Sequence, residues 1–290
     1  MRSDSPPEKT VLVPVANDEA VSRQLETAVD VAADRSSRLL FLYVLVVPDQ
    51  LSLVDGRRYL LEDEDEQMLA SAVRAAEERG VAADSRIRIA RGVATGIVGS
   101  VEEYDVDAVL MGWRGRPPRS GIVLGSYLDR VLRNAACDVL VERIRTPRPD
   151  VSRVLVPVAG GPHDAFAAEA AAAIARERDA SVTLLHVLER DDPELERAEA
   201  NALLAETASR FEDVSSVERV LEGDDVAGTI TDRTADHDVT ALGVSRGGIL
   251  RRRLLGTVSE GVARHAAGSV VLARRYEPVS SRLRRVVSRL

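Results

Sequence analysis

Apolar and polar residues follow each other along the first half of the chain in a pattern that predicts strands and helices in turn. Residues 10–15 form an apolar run typical of a buried strand, and residues 18–34 place apolar side chains at helical spacing. Residues 38–47 form a second, unbroken apolar run, as expected of a strand covered on both faces. The pattern then predicts helices at 63–80, at 94–104 and up to about Ala135, and strands at 86–90, 107–111 and 138–141. Strands separated by helices of this length predict a parallel α/β sheet with helices on both faces.

The second half of the chain repeats the first. Residues 11–16, Val-Leu-Val-Pro-Val-Ala, return letter for letter as residues 154–159, at a displacement of 143. Later landmarks are displaced by 131, so that Gly112 corresponds to Gly243 and Gly125 corresponds to Gly256. The difference between the two displacements places 12 additional residues in the first copy, in the segment 48–61. We therefore predict a tandem duplication with an insertion in its first copy.

The repeat also predicts where the domains begin and end. We expect a disordered lead-in over 1–9, a first domain over 10–144, a linker over 145–150, a second domain over 151–275 and a tail over 276–290. The tail combines an apolar helical face with four arginines. It is interpreted either as a helix docked on its own protein or as a basic amphipathic contact with a membrane surface or a partner.

Composition and charge exclude several classes of protein. A net charge of −8 argues against nucleic acid as a partner. Cys137 is the single cysteine, which excludes an intrachain disulfide, and the four histidines show no metal-ligand spacing, so no metal site is expected. The longest apolar run, residues 39–47, is too short to span a bilayer, and no N-terminal segment resembles a signal peptide. We expect a cytoplasmic protein.

The clearest chemistry lies in residues 112–126, Gly-Trp-Arg-Gly-Arg-Pro-Pro-Arg-Ser-Gly-Ile-Val-Leu-Gly-Ser, between a predicted strand and a predicted helix. Glycines let backbone amides approach an anion closely, and a helix N-terminus adds a partial positive charge. The pattern predicts a phosphate-binding junction, and the alternative is an ordinary turn. Arg114, Arg116 and Arg119 either add charge-assisted contacts to a phosphate or form a solvated charged loop.

These residues resemble the universal stress protein family. The family's fingerprint is Gly, two residues, Gly, nine residues, then Gly and Ser or Thr, and Gly112, Gly115, Gly125 and Ser126 satisfy all of it. The resemblance covers both copies and is similar to stress-protein domains associated with amino-acid transporters. It implies two tandem universal-stress-protein-like domains, each a five-stranded parallel sheet with helices on both faces. It further implies that they pack as a pseudo-dimer, through residues such as 139–141 and 270–272.

The resemblance implies a nucleotide ligand at the carboxyl edge of the strands, where open α/β sheets generally bind ligands. ATP is the expected nucleotide, with Mg²⁺ accompanying it, and AMP or another nucleotide is the alternative. The glycines of the fingerprint and Ser126 would hold the phosphates, and Val44 would lie against the adenine. The full set of binding residues implied for the first domain is Val15, Ala16, Val44, Met111, Gly112, Gly115, Gly125, Ser126 and Tyr127.

Two positions depart from the pattern of the ATP-binding members. Those members carry an Asp at the end of the first strand, where this chain has Ala16 in one copy and Ala159 in the other. Losing an acceptor that meets a nucleoside donor costs about 1–3 kcal/mol if the donor stays unpaired, and Asn17 is the candidate to compensate. In the second copy Arg246 replaces the second glycine of the fingerprint. We expect the second domain to be structural, with binding of a smaller anion at residues 246–253 as the alternative.

No nucleophile and base can be paired in the sequence, so no catalytic residue is predicted and ATP hydrolysis is expected to be weak at most. The leading hypothesis is a nucleotide-binding regulatory protein of the stress response. The rival is a nucleotide-independent interaction module, acting on a protein partner such as a membrane transporter. Association of the tandem chain into a homodimer is kept as an alternative to a monomer. The 48–61 insertion is interpreted as a lid over the nucleotide, a partner surface or a plain surface excursion.

Overall fold

One continuous sheet of ten strands organises the described part of the chain. The computed structural model describes residues 9–113, 126–143, 150–189, 193–244 and 256–278. The strands are Thr10–Val15 (β1), Arg38–Val46 (β2), Ala83–Ala90 (β3), Ala108–Gly112 (β4), Asp138–Arg143 (β5), Arg153–Pro157 (β6), Ser181–Leu188 (β7), Ser216–Glu222 (β8), Val239–Gly243 (β9) and Ser269–Arg274 (β10).

Helices cover both faces of this sheet, as the apolar runs of the strands require. One face packs against α1, α3, α6 and α7, and the other packs against α4, α5, α8 and α9. The helices of the described residues are Asp18–Asp34 (α1), Leu53–Leu60 (α2), Asp63–Glu77 (α3), Val93–Glu103 (α4), Ser126–Asn134 (α5), Pro162–Arg178 (α6), Pro193–Ala208 (α7), Val226–Arg233 (α8) and Thr257–His265 (α9).

The strand order is β3-β2-β1-β4-β5-β10-β9-β6-β7-β8, so each half of the chain contributes five neighbouring strands. Pairing is parallel within each half, and the two halves meet where β5 and β10 pair antiparallel, with Val141 opposite Leu272. This confirms the predicted α/β fold of two five-stranded domains packed as a pseudo-dimer through their last strands.

The two halves contact each other through reciprocal ion pairs between α1 and α6. Arg178 binds Glu26 at 2.6 Å, and Arg35 binds Glu169 at 3.1 Å. Arg35 is equivalent to Arg178 at the displacement of 143, and Glu26 is equivalent to Glu169. Contacts repeated in this way are the signature of an isologous interface, in which the same surface serves both partners.

The 48–61 insertion contains a helix that the sequence pattern did not predict. Ser52 caps α2 by accepting a hydrogen bond from the amide of Asp55 at 3.1 Å. Arg91, in the loop after β3, donates to the carbonyls of Val47, Pro48 and Leu51 and so fixes the segment against the sheet. The insertion is therefore a structured surface at the carboxyl end of β2. None of the helices formed by described residues has the length and apolar character needed to cross a membrane.

Candidate functional site

A cavity of about 370 Å³ opens at the carboxyl edge of the first domain's sheet. It lies at the ends of β1 and β4, the neighbouring strands from which the strand order runs outward in both directions. This switch point is where open α/β sheets usually bind ligands. The cavity is also within the size range of small-molecule sites. Its lining residues are Pro14, Val15, Ala16, Asn17, Glu19, Ala20, Arg23, Gln24, Leu42, Val44, Val93, Ile97, Met111, Gly112, Trp113, Tyr127 and Glu142.

Six of the nine binding residues implied by the resemblance lie in this lining. They come from three separate strand ends and from the first turn of α5, and the fold brings them together around one space. Gly115 and Gly125 lie outside the described residues, as do Arg114, Arg116, Arg119 and the 246–253 loop. Ser126 begins α5. The six lining residues are Val15, Ala16, Val44, Met111, Gly112 and Tyr127.

One side of the cavity is an apolar wall. Val44 from β2 and Ile97 from α4 contribute to it, together with Leu42. Gly96 allows α4 to approach the strand this closely, because a Cβ at this position would lie 2.5 Å from a methyl carbon of Val44. An apolar wall of this kind suits the face of a planar ring.

The opposite side of the cavity is polar. Glu19 and Arg23, one turn apart on α1, form an ion pair at 2.7 Å. Gln24 lies against Gly112, where an added Cβ would be 3.1 Å from its side-chain amide. Glu142, from β5, is buried, and burial raises its pKa to about 8 although a hydrogen bond from Thr27 acts in the other direction.

Two groups at the strand ends of the site already form hydrogen bonds within the protein. Asn17, the candidate to replace the family's Asp, accepts the amide of Ala20 at 2.8 Å with its side-chain oxygen and so caps α1. The amide of Trp113 donates to the carbonyl of Glu142 at 2.7 Å, which extends the pairing of β4 and β5 by one residue. The amide of Trp113 is therefore not free for a ligand.

The corresponding corner of the second domain is occupied by the protein's own carboxylate. Gly160 and Gly161 adopt positive φ angles of 92° and 104°, a turn that places the start of α6 over Gly243. Asp164 accepts the amide of Ala159 at 2.8 Å. Burial raises the pKa of Asp164, while hydrogen bonds from the amides of Ala159, Gly160 and Gly243 lower it. A carboxyl group of the protein itself is thus built into this corner, which supports a structural role for the second domain.

Sequence reasoning missed three lining residues of the cavity, namely Gln24, Trp113 and Glu142, and it also missed Asp164. A signal for two of them was present in the repeat. Gln24 corresponds to Ala167, and Glu142 corresponds to Ala273, so each is a polar residue in one copy where the other copy has alanine. Among the described residues, no group of three or more His, Cys, Asp or Glu side chains is placed to hold a metal ion.

A family model described as the universal stress protein family matches residues 8–143 and 151–274. The chain belongs to this family. A universal stress protein of Mycobacterium tuberculosis is 29% identical over 231 residues, covering 73% of this chain and 78% of that protein. A Na⁺/H⁺ antiporter of Synechocystis is 28% identical over 180 residues, covering 61% of this chain and 26% of the antiporter. The crystal structure of an Archaeoglobus fulgidus universal stress protein shares the fold, with a TM-score of 0.67, 18% identity, and coverage of 92% of this chain and 97% of that one.

Proposed function

We propose that this universal stress protein is a nucleotide-binding regulatory protein of the cytoplasm that holds one nucleotide in its first domain. ATP with its Mg²⁺ is the first candidate, and AMP or another nucleotide is the second. The observation that carries the proposal is the difference between the two copies. The first domain has a cavity at its switch point, whereas the second domain fills the corresponding corner with Asp164.

The lining of the cavity supports a nucleotide in particular. Its apolar wall around Val44 and Ile97 suits a base, and its polar side next to Gly112 suits a sugar. The start of α5 adds the partial positive charge of a helix N-terminus beside the fingerprint loop. Gly115, Gly125 and Ser126 are proposed to hold the phosphates.

The test is calorimetric titration of nucleotide-free protein with ATP and AMP, using a pair of matched variants. Ala16→Trp places an indole at the exposed rim of the cavity, and Ala159→Trp places the same group at the equivalent exposed position of the second domain. We expect one nucleotide per chain in the unmodified protein and in Ala159→Trp, and at least about tenfold weaker binding in Ala16→Trp. Absence of any binding heat, or equal loss in both variants, would refute the proposal.

A second candidate function is that of an interaction module for a membrane transporter. The antiporter relative supports it, as does the outer surface of α2, where Val54 is 80% exposed and Tyr59 is 66% exposed. Exposed apolar side chains on one helix are a common feature of protein-binding surfaces. This function predicts that the tagged chain captures a transporter, that Val54→Asp abolishes capture, and that Ala16→Trp leaves it intact. Capture lost in Ala16→Trp would instead tie the interaction to the nucleotide.

A further inference from the structure

Three residues that line the first domain's cavity carry a buried polar atom with no hydrogen-bond partner among the described residues. One is Nε1 of Trp113, whose indole belongs to the apolar core, and the other two are Oε1 of Gln24 and Oε2 of Glu142. Gln24 and Glu142 are only 3% and 4% exposed. A polar atom that is buried without a partner is destabilising, so each one calls for a physical reason.

Packing of the fold does not supply that reason. Gln24, Thr27 and Asp30 form a buried polar row along α1, and Glu142 lies beside it on β5. The equivalent positions of the second domain pack the same kind of helix onto the same kind of strand with small apolar side chains. Those equivalents are Ala167, Ala170, Ala173 and Ala273, all buried.

The hydrogen bonds made by the other atoms of Gln24 and Glu142 determine whether the two unpaired atoms can donate or accept. The amide nitrogen of Gln24 donates to the carbonyl of Ala20 at 3.1 Å, so Oε1 is left as an acceptor. Thr27 donates to Oε1 of Glu142 at 2.6 Å, which leaves Oε2 for a ligand. Since burial raises the pKa of Glu142 to about 8, this acid carries a proton near neutral pH and can donate as well as accept. The pair therefore suits hydroxyl groups, which both donate and accept.

The pair lies at the first glycine of the fingerprint, at the edge of the cavity. Glu142 is the register partner of Gly112, and the side chain of Gln24 lies over the same glycine. The apolar residues Val44 and Ile97 and Tyr127 of the first turn of α5 line the same cavity. In a nucleotide, the sugar joins the base to the phosphates.

We infer that Gln24 and Glu142 bind the ribose hydroxyls of the nucleotide held in the first domain, and that they make the site prefer ribonucleotides to deoxyribonucleotides. This inference rests on the proposed function. It assigns sugar recognition to the interior of α1 and to β5, whereas the residue at the end of β1 is Ala16, which has no polar side chain to offer.

The test compares ATP with 2′-deoxy-ATP and 3′-deoxy-ATP by calorimetric titration of the full chain. We expect the unmodified protein to bind ATP about tenfold more tightly than at least one deoxy analogue, because each analogue leaves a buried polar atom unpaired. Gln24→Ala and Glu142→Ala, which install the residues of the second domain, should reduce this preference to about twofold or less. Glu142→Gln keeps a neutral hydrogen-bonding group and should retain most of it.

Asp30→Asn is the matched control, because Asp30 belongs to the same buried row but binds Arg178 at 2.9 Å. It should change stability and leave the sugar preference as it was, because burial outweighs the charge of Asp30 in raising the pKa of Glu142. Equal affinity of the unmodified protein for ATP and both deoxy analogues would overturn the inference while leaving the proposed function intact. The same holds if the preference survives in both alanine variants. Absence of all nucleotide binding would overturn both.

Discussion

At the scale of single residues, Glu142 is the most informative group in the molecule. It is only 4% exposed in the lining of the cavity, and it keeps a carboxyl group where the second domain has Ala273. Burial raises its pKa and the negative charge of Asp30 adds to the effect, while the hydroxyl of Thr27 opposes it. Because the charged form is disfavoured in this environment, the protein's stability must depend on pH through this one acid.

The sign of that dependence follows from where the proton is held. The folded protein keeps the proton of Glu142 up to about pH 8, whereas the unfolded chain releases it near the ordinary pKa of 4.5. Folding is therefore favoured by this group at low pH, and the contribution is lost as pH rises through the interval between the two values. The variant Glu142→Gln has no acid at this position to titrate. Over the pH interval between the two pKa values, the unmodified protein should therefore lose roughly 2–5 kcal/mol of unfolding free energy relative to this variant.

Urea unfolding of the two proteins at about pH 5, 7 and 9 measures this difference, since the variant carries every other titrating group unchanged. Parallel stability curves for the two proteins would show that Glu142 ionises normally. In that case Glu142 would not be available as a donor to a ligand at neutral pH.

At the scale of elements, the junction of β5 and β10 depends on two buried arginines that reach across it in opposite directions. Arg143 donates to the carbonyls of Ala266 at 2.8 Å and Gly268 at 3.3 Å. Arg274 donates to the carbonyls at positions 135 and 137, at 2.9 and 2.8 Å. The two sets are related by the displacement of 131. Each arginine thus satisfies carbonyls in the turn that precedes the other domain's last strand.

Replacing either arginine by methionine keeps most of the buried stem but removes the donors to those carbonyls. Arg143→Met and Arg274→Met should each lower the free energy of unfolding by about 2–4 kcal/mol. Denaturation should also become less cooperative as the two domains uncouple. Arg86→Met is the control, because Arg86 pairs with Asp84 on the surface, and it should change stability by less than about 0.5 kcal/mol. Unchanged urea midpoints in both buried variants would contradict this account of the junction.

The sequence predicted those elements whose apolar residues form a run or a periodic pattern within the element itself. The unbroken runs of β1 and β2 and the helical spacing of α1 were sufficient, and the resemblance to the family implied the pairing of β5 with β10. Helix α2 was not predicted, because its apolar residues do not form a buried face. Val54 and Tyr59 are exposed, and the segment is held by Arg91, which lies about 40 residues later. A contact between such distant positions leaves no periodic signal.

At the scale of the whole molecule, the two copies differ at equivalent corners of the sheet. The described residues of the first domain line a cavity there, and those of the second place Asp164 on Gly243. The site could be anticipated as far as its strand ends, because parallel strands deliver their carboxyl ends to one edge of a sheet. Its polar side was not predicted, because Gln24 taken alone resembles a residue on a helix surface and Glu142 taken alone resembles the end of a strand. Only a comparison of the two copies distinguishes them. The contact in the corresponding corner of the second domain is non-local as well. Asp164 packs on the distant Gly243, after a turn in which Gly160 and Gly161 adopt positive φ angles.

The measurement that tests the central claim most directly is hydrogen–deuterium exchange of the full chain with and without ATP. Each half serves as the control for the other. We expect ATP to slow exchange at residues 14–17, 111–113 and 126–130, around the cavity, and to leave their counterparts at 157–160, 242–244 and 257–261 unchanged. Equal protection in both halves, or none in the first half at saturating ATP, would contradict the account.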